Sequence, residues 1–285
     1  MQIDAHQHFW IYDPNEYSWI TDEKDVLRRN YLPAELAQEQ NKLQFDGSIA
    51  VQARQTLEES HWLLELAEQD DRIKGVVGWV DLRSARVEDQ LRRLADHRKF
   101  VGVRHVVQDE PDDRFLLRAD FLRGLTKLKD FGLAYDLLIF PKQIPAAIEL
   151  ARRFPEQRFV LDHLAKPFIK DAILAPWSDQ IRELASAPNV WCKISGLVTE
   201  AQWKTWKPDD FSPYLDVVCE AFGEDRLMVG SDWPVCLLSA EYEEVMALVG
   251  DYFGGHREDR RKKIFGENAL KCYGIEPVGL DAEDP

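Results

Sequence analysis

The feature that most constrains this chain is an alternation. Short apolar, β-branched runs each give way to a segment of helical periodicity, and the pattern repeats eight times from one end of the sequence to the other. Strands are expected at residues 2–6, 46–52, 75–81, 101–106, 133–140, 159–163, 190–195 and 227–232. Amphipathic helices are expected at 59–67, 87–95, 121–129, 144–153, 177–185, 213–222 and 241–253, with a last one over 257–273. Glycines in Asp130-Phe131-Gly132 and Phe222-Gly223 suit left-handed helix ends. Repeated units with no Gly/Ser linker between halves predict an α/β chain folded as a single (β/α)8 TIM barrel over residues 1–275, followed by an acidic tail at 276–285. An open doubly wound sheet is the runner-up, weakened because no GxGxxG or Walker sequence follows a strand. The Trp- and Tyr-rich stretch from Phe9 to Asn30 exceeds an ordinary βα loop and is expected to cover the barrel mouth.

Composition narrows the partners. Asp plus Glu outnumber Lys plus Arg by 51 to 36, giving a formal net charge of −15, which opposes binding to nucleic acid and to anionic membrane surfaces. No apolar run is long enough to span a bilayer, and the start Met1-Gln2-Ile3-Asp4-Ala5-His6 has neither a secretory nor a transit pattern, so the cytoplasm is the expected location. Cys192, Cys219, Cys236 and Cys272 form no CxxC pair and read as reduced thiols. The sequence carries no mark of an oligomeric state.

In a parallel barrel the active site forms where the strands end, and almost every strand here ends in ionisable or amide side chains. The first closes with His6-Gln7-His8, the second with Gln52, the third with Asp81, the fourth with Arg104-His105, and the fifth holds Asp136. The sixth closes with Asp162-His163, the seventh carries Lys193 and Ser195, and the eighth closes with Ser231-Asp232-Trp233. Buried without partners, such groups would each cost about 1–3 kcal/mol, so a shared polar pocket explains them together. His6 and His8 lie two apart and point to one face, the geometry in which two imidazoles bind a metal; hydrogen bonding to substrate without metal is the other reading. Alternation places Arg104 inward and His105 outward. His61, His97 and His256 read as outer-layer or surface residues.

The segments Ile3-Asp4-Ala5-His6-Gln7-His8-Phe9-Trp10, Gly102-Val103-Arg104, Leu161-Asp162-His163, Lys193-Ile194-Ser195-Gly196-Leu197 and Gly230-Ser231-Asp232-Trp233-Pro234 resemble the amidohydrolase superfamily, in particular its sugar-lactonase branch of L-fuconolactone and L-rhamnonolactone hydrolases. The resemblance extends to Phe265-Gly266-Glu267-Asn268-Ala269. It implies a (β/α)8 fold with a reaction centre of His6, His8, His163 and Asp232, the same four residues being the ligands of any metal. Binuclear relatives carry a carboxylated lysine on the fourth strand and a histidine on the fifth, where this chain has Arg104-His105 and Asp136, which argues against two ions. The resemblance is compatible with one divalent ion, Zn(II) or Mn(II), and with metal-independent action.

The expected reaction is hydrolytic opening of a sugar lactone, with Asp232 as general base and His6, His8 and His163 meeting the charge that grows on the carbonyl oxygen. Arg104 is expected to orient the substrate. Gln52, Asp81, Asp136 and Lys193 are candidates to read its hydroxyls, with ion pairing to Arg104 or Lys193 as the other reading for the two aspartates. Trp10 and Trp233 are candidates to offer a sugar ring a flat apolar face. The alternatives are a metal-dependent decarboxylase or hydratase of an unsaturated acid, which needs a cationic carboxylate-binding cluster, and a barrel that binds a sugar acid without turnover.

Overall fold

A computed structural model of the chain describes residues 1–255 and 257–276. His256 and all but the first residue of the expected tail lie outside the described residues. The strands are β1 (Ile3–Gln7), β2 (Gly47–Val51), β3 (Ile73–Gly78), β4 (Phe100–His105), β5 (Ala134–Leu137), β6 (Phe159–Leu161), β7 (Val190–Ile194) and β8 (Leu227–Val229). The helices are α1 (Pro33–Leu43), α2 (Leu57–Gln69), α3 (Val87–Ala95), α4 (Ala119–Leu128), α5 (Ile144–Arg153), α6 (Trp177–Ala185), α7 (Leu197–Glu200), α8 (Pro208–Phe222), α9 (Tyr242–Tyr252), α10 (Glu258–Lys262) and α11 (Asn268–Tyr273). All strand pairs are parallel and the sheet order is that of the sequence. A bridge between Gln7 and Trp233 brings the last strand's extension back to the first, with His8 N donating to Trp233 O at 2.7 Å and Asp232 N to His6 O at 2.8 Å. The expected TIM barrel is therefore what the chain forms.

The helices sit where periodicity placed them because each buries one stripe on the sheet. In α3, Val87, Leu91 and Leu94 are buried while the intervening Glu88 and Arg92 are exposed. Three differences from the expectation have local causes. Helix α1 was not singled out; Pro33 at its first position starts it, and only Leu36 and Gln40 are buried, too thin a stripe to read from sequence. Helix α8 begins five residues before the expected Pro213, because Pro208 occupies the first helical position and Pro213 is tolerated inside. The final helix runs unbroken over residues 258–273 but widens into a π-helical turn at Lys263–Glu267 between α10 and α11. There Gly266 passes so close to the start of β1 that a Cβ would sit 2.0 Å from Met1 O.

Strand β1 holds a bulge. Ile3 and Asp4 pair with Gly47 and Ser48, but the next match is Gln7 with Ala50, so three steps on β1 oppose two on β2. The phase of β1 changes there. Ile3 and Ala5 join the cluster inside the lower barrel, which α11 closes with Ala269, Leu270, Cys272 and Tyr273, while His6 and His8 face inward at the other end.

The segment after β1 covers the mouth as expected. Trp10 and Tyr31 exchange backbone hydrogen bonds of 3.0 and 2.9 Å, closing the excursion at its base, and the Trp10 ring lies 5.5–6.0 Å from Tyr17, Trp19 and Tyr31. No helix among the described residues is long and apolar enough to cross a membrane.

Candidate active site

Several strands stop earlier than their apolar runs suggested, and the residues just beyond them build the site. After β6, His163, Leu164, Ala165 and Lys166 all adopt positive φ between 52° and 58°; after β8, Asp232 does so at 59°. Such conformations strain residues that bear a Cβ and persist where surrounding contacts enforce them, commonly at functional sites. Here the turns aim consecutive side chains into the mouth that strand alternation would have pointed apart.

Four side chains named from sequence meet there. His6 Nε2 lies 3.2 Å from His8 Nε2, and Asp232 Oδ1 lies 3.3 Å from His8 Nε2, 3.7 Å from His6 Nε2 and 3.9 Å from His163 Nε2. All are at most 4 % exposed. His8 Nδ1 donates to Val51 O at 2.7 Å, so in neutral His8 the Nε2 lone pair faces the other acceptors. His163 Nδ1 is paired with Ser195 Oγ at 2.8 Å. Gly196 leaves room for that ring, since a Cβ there would sit 2.6 Å from His163 Nδ1.

Burial pushes the His6 and His163 imidazoles down against the pull of Asp162 and Asp232, His163 to about 4 and His6 well below its usual range. Burial alone would raise Asp232, but the surrounding His163, His8 and His6 rings overcome it and hold the carboxyl well below the usual range. At neutral pH the site thus holds an ionised Asp232 and neutral imidazoles at His6 and His163, the protonation states in which these groups bind a divalent ion.

The donor set fits such an ion. Ligands 2.0–2.1 Å from a tetrahedral centre are about 3.3–3.4 Å apart, close to the separations among His6, His8 and Asp232. The ligating atoms of these three lie within 4.8 Å of one another, and the same holds for His6, Asp162 and His163.

Beneath the histidines lies a charge network. Arg104 Nη1 contacts Asp162 Oδ2 at 3.0 Å and His6 Nε2 at 3.3 Å, while Nη2 donates to the backbone and side-chain oxygens of Gln52. Lys193 Nζ donates to Asp136 Oδ2 at 2.5 Å, and lies 3.0 Å from Asp162 Oδ1 as an ion pair and 3.1 Å from His6 Nδ1. Burial pushes Asp136 up to about 6 even against Lys193; for Asp162 burial is outweighed by Lys193 and His6, and its carboxyl is held well down.

The residues expected to contact sugar are distributed differently. Arg104, Gln52, Asp136 and Lys193 are brought together, but bound to one another and to Asp162; Asp136 and Lys193 form a fully buried ion pair. Both cations are already paired with protein carboxylates, so the cationic cluster that the decarboxylase or hydratase reading requires is not free. Asp81 lies three residues past β3 in a turn, its carboxylate accepting from Arg83 N and its amide donating to Gln90 Oε1. Trp10 is fully buried with Nε1 donating to Arg29 O, which removes its ring from a sugar; Trp233 packs edge-on against Phe9 and Tyr31. His105 faces outward to Glu110 and Trp79, as alternation required.

Sequence reasoning left out Asp162, because alternation admits only one of Asp162 and His163 to the interior and the left-handed turn admits both. It also left out Lys166 and Glu200. Lys166 ends the left-handed turn, its N–H donating to His163 O at 2.7 Å and its Nζ lying 3.9 Å from Glu200 Oε1 and 5.6 Å from the centre of the Phe140 ring. Glu200, on α7, is raised by burial, against Lys166 and with Asp232. Both side chains are partly exposed, at 20 and 24 %. Nothing in their spacing marks them.

A family model described as amidohydrolase matches residues 3–275. The L-fucono-1,5-lactonase of Burkholderia multivorans is 42% identical over 295 aligned residues, covering 99% of this chain and 98% of that protein. The L-fucono-1,5-lactonase of Burkholderia ambifaria is 36% identical, covering 96% of each. A crystal structure of an amidohydrolase from Burkholderia multivorans with bound zinc superposes with a TM-score of 0.92 at 42% identity, over 97% of this chain and 100% of that one. With a family model matching residues 3–275 and relatives 42% and 36% identical over nearly the whole chain, this chain belongs to the amidohydrolase family.

Proposed function

We propose that this enzyme hydrolyses a sugar lactone of the L-fucono-1,5-lactone type to the open sugar acid, with Asp232 as general base. The observation that carries the reading is the convergence of an ionised, buried Asp232 with His6, His8 and His163, in a chain whose relatives are sugar lactonases. Water attacks the lactone carbonyl carbon and passes a proton to Asp232. The ring C–O bond then breaks, and the proton held by Asp232 moves to the departing ring oxygen, leaving a hydroxy acid.

His6, His8, Asp232 and His163 would hold one Zn(II) or Mn(II). When bound, such an ion lowers the pKa of water and polarises a carbonyl oxygen. Arg104, fixed by Asp162 and Gln52, keeps a positive charge 3.3 Å from His6 Nε2, inside the region where the oxyanion forms. Lys193, in direct contact with both Asp162 and the His6 ring, helps hold them in place.

Hydroxyl reading falls to Lys166 and Glu200, the partly exposed polar pair beside His163 and Asp232. A carboxylate accepts from a sugar hydroxyl and an ammonium donates to one, and together they favour a neutral polyol. The net charge of −15 supports the same small, uncharged substrate over nucleic acid. The test is a pH-indicator screen of 1,4- and 1,5-aldonolactones of hexoses, 6-deoxyhexoses and pentoses, with and without chelator. Acid release from a narrow stereochemical set is expected; silence across the panel with metal supplied overturns the reading.

A further inference from the structure

We propose that Tyr273, on the helix that closes the far end of the barrel, is a positioning residue for the reaction centre, acting on His6 through Asp136 and Lys193. The Tyr273 hydroxyl enters the barrel from below and lies 3.0 and 2.8 Å from the two oxygens of Asp136. Lys193 Nζ, 2.5 Å from Asp136 Oδ2, is in turn 3.0 Å from Asp162 Oδ1 and 3.1 Å from His6 Nδ1. Asp162 Oδ1 is itself 3.3 Å from His6 Nδ1. A continuous chain of polar contacts thus runs from α11 to the first histidine, and Asp136, Lys193, Asp162 and His6 are all 0 % exposed.

The His6 tautomer is what this chain decides. Nδ1 faces both an ammonium, which can only donate, and a carboxylate, which can only accept. If Nδ1 carries the proton it donates to Asp162, and Nε2 is a lone pair turned toward Arg104, His8 and Asp232. If Nδ1 accepts from Lys193, Nε2 carries the proton instead. Where Lys193 sits between Asp136 and Asp162 therefore sets the state of the nitrogen at the reaction centre. Tyr273 supplies the neutral donor that partly satisfies Asp136. Without it, a bare carboxylate in a dry interior draws the ammonium toward itself and away from Asp162 and His6.

The Tyr273 ring packs beside Gly102 on β4 at ordinary contact distance. A Cβ on Gly102 would lie 3.5 Å from Tyr273 Cε1 and 3.2 Å from Ala134 O. The same helix end sends Ile275 toward Gly75, where a Cβ would lie 3.2 Å from Ile275 Cδ1, but the Ile275 side chain has no polar atom to offer the network.

The test compares Tyr273→Phe with Ile275→Ala, which loosens the same plug without touching the polar chain. Outer-layer hydrogen bonds of this kind change activity by about 10–100-fold. Tyr273→Phe is expected to lower kcat about tenfold or more with KM within about twofold, and to move the ring 15N resonances of His6; Ile275→Ala is expected to leave both in place. Asp136→Asn breaks the same link one step nearer and should reproduce the signature, which serves if Tyr273→Phe does not fold. Unchanged His6 resonances and kcat in the folded variant would make Tyr273 a packing residue only. The kcat arm rests on the proposed lactonase reaction and the resonance arm does not: moved resonances in an enzyme silent on every lactone would keep the relay and sink the reaction.

Discussion

Asp232 Oδ1 sits 3.3 Å from His8 Nε2 across the seam where the last strand of the barrel meets the first. The same seam is stitched by Asp232 N to His6 O at 2.8 Å and by His8 N to Trp233 O at 2.7 Å. Beside it, Ser231 donates from N and Oγ to the Asp4 carboxylate at 2.9 and 2.6 Å. Barrel closure and assembly of the reaction centre are thus one event: residues more than two hundred apart in sequence reach hydrogen-bonding distance only when the ring is complete.

If Asp232 is the base, Asp232→Asn keeps the backbone hydrogen bond to His6 and loses the proton acceptor. The expected fall in kcat is about 10²–10⁴-fold, the usual worth of a positioned base, with a circular-dichroism spectrum like that of the wild type. Near-normal turnover would assign the base elsewhere.

The ligand set predicts one divalent ion per chain. Elemental analysis after incubation with Zn(II) or Mn(II) should find about one equivalent in the wild type and markedly less in His8→Ala, whose ring contributes both an Nε2 lone pair and the contact to Val51 O. Equal metal content in both proteins would remove His8 from the set.

Lys166→Met and Glu200→Gln should act on binding. Each removes a partly exposed group that reads substrate in ground and transition states alike, so KM is expected to rise about tenfold while kcat changes little. The ranking of lactone stereoisomers should also shift. A fall in kcat at unchanged KM would instead place the pair in the chemical step.

Glu59 gives a pH-dependent contribution to stability. It accepts from Ala53 N at 3.0 Å and Arg54 N at 2.7 Å, anchoring the loop that carries Gln52, and burial, only partly offset by these bonds and Arg54, raises its carboxyl from 4.5 to about 7. A carboxyl raised on folding is protonated more readily in the native state. Its contribution is fully present below the unfolded value of 4.5 and is lost as pH climbs through 7. Chemical denaturation of wild type and Glu59→Gln should show the wild type losing ground across that window, by about 3 kcal/mol at most. A difference flat in pH would mean that Glu59 is ionised in both states.

Much of the fold was legible because a repeated alternation of buried strands and amphipathic helices has few topological solutions. Much of the reaction centre was legible because barrel strands deliver their terminal residues to one face. His6, His8, His163 and Asp232 could be named for that reason, and Arg104 could be turned inward and His105 outward by alternation alone. Trp10 was misleading because adjacency to site residues says nothing about which way a ring turns: it lies buried among Tyr17, Trp19 and Tyr31 of the cover.

Residue order alone specifies the repeat, the identity of the strand-end residues, and an acidic charge balance that selects against polyanions. Those depend on residue type and on spacings of a few positions, which local physics enforces. Phase and partnership arise in the folded barrel. The bulge in β1 lets Ile3 and Ala5 fill the lower barrel while His6 and His8 also face inward; the left-handed turn after β6 admits both Asp162 and His163; and Tyr273 finds Asp136 across 137 positions. None of these is a property of a segment. Each exists because the closed ring brings distant backbones within a hydrogen bond of one another in an interior where an unpaired polar group is too costly to leave.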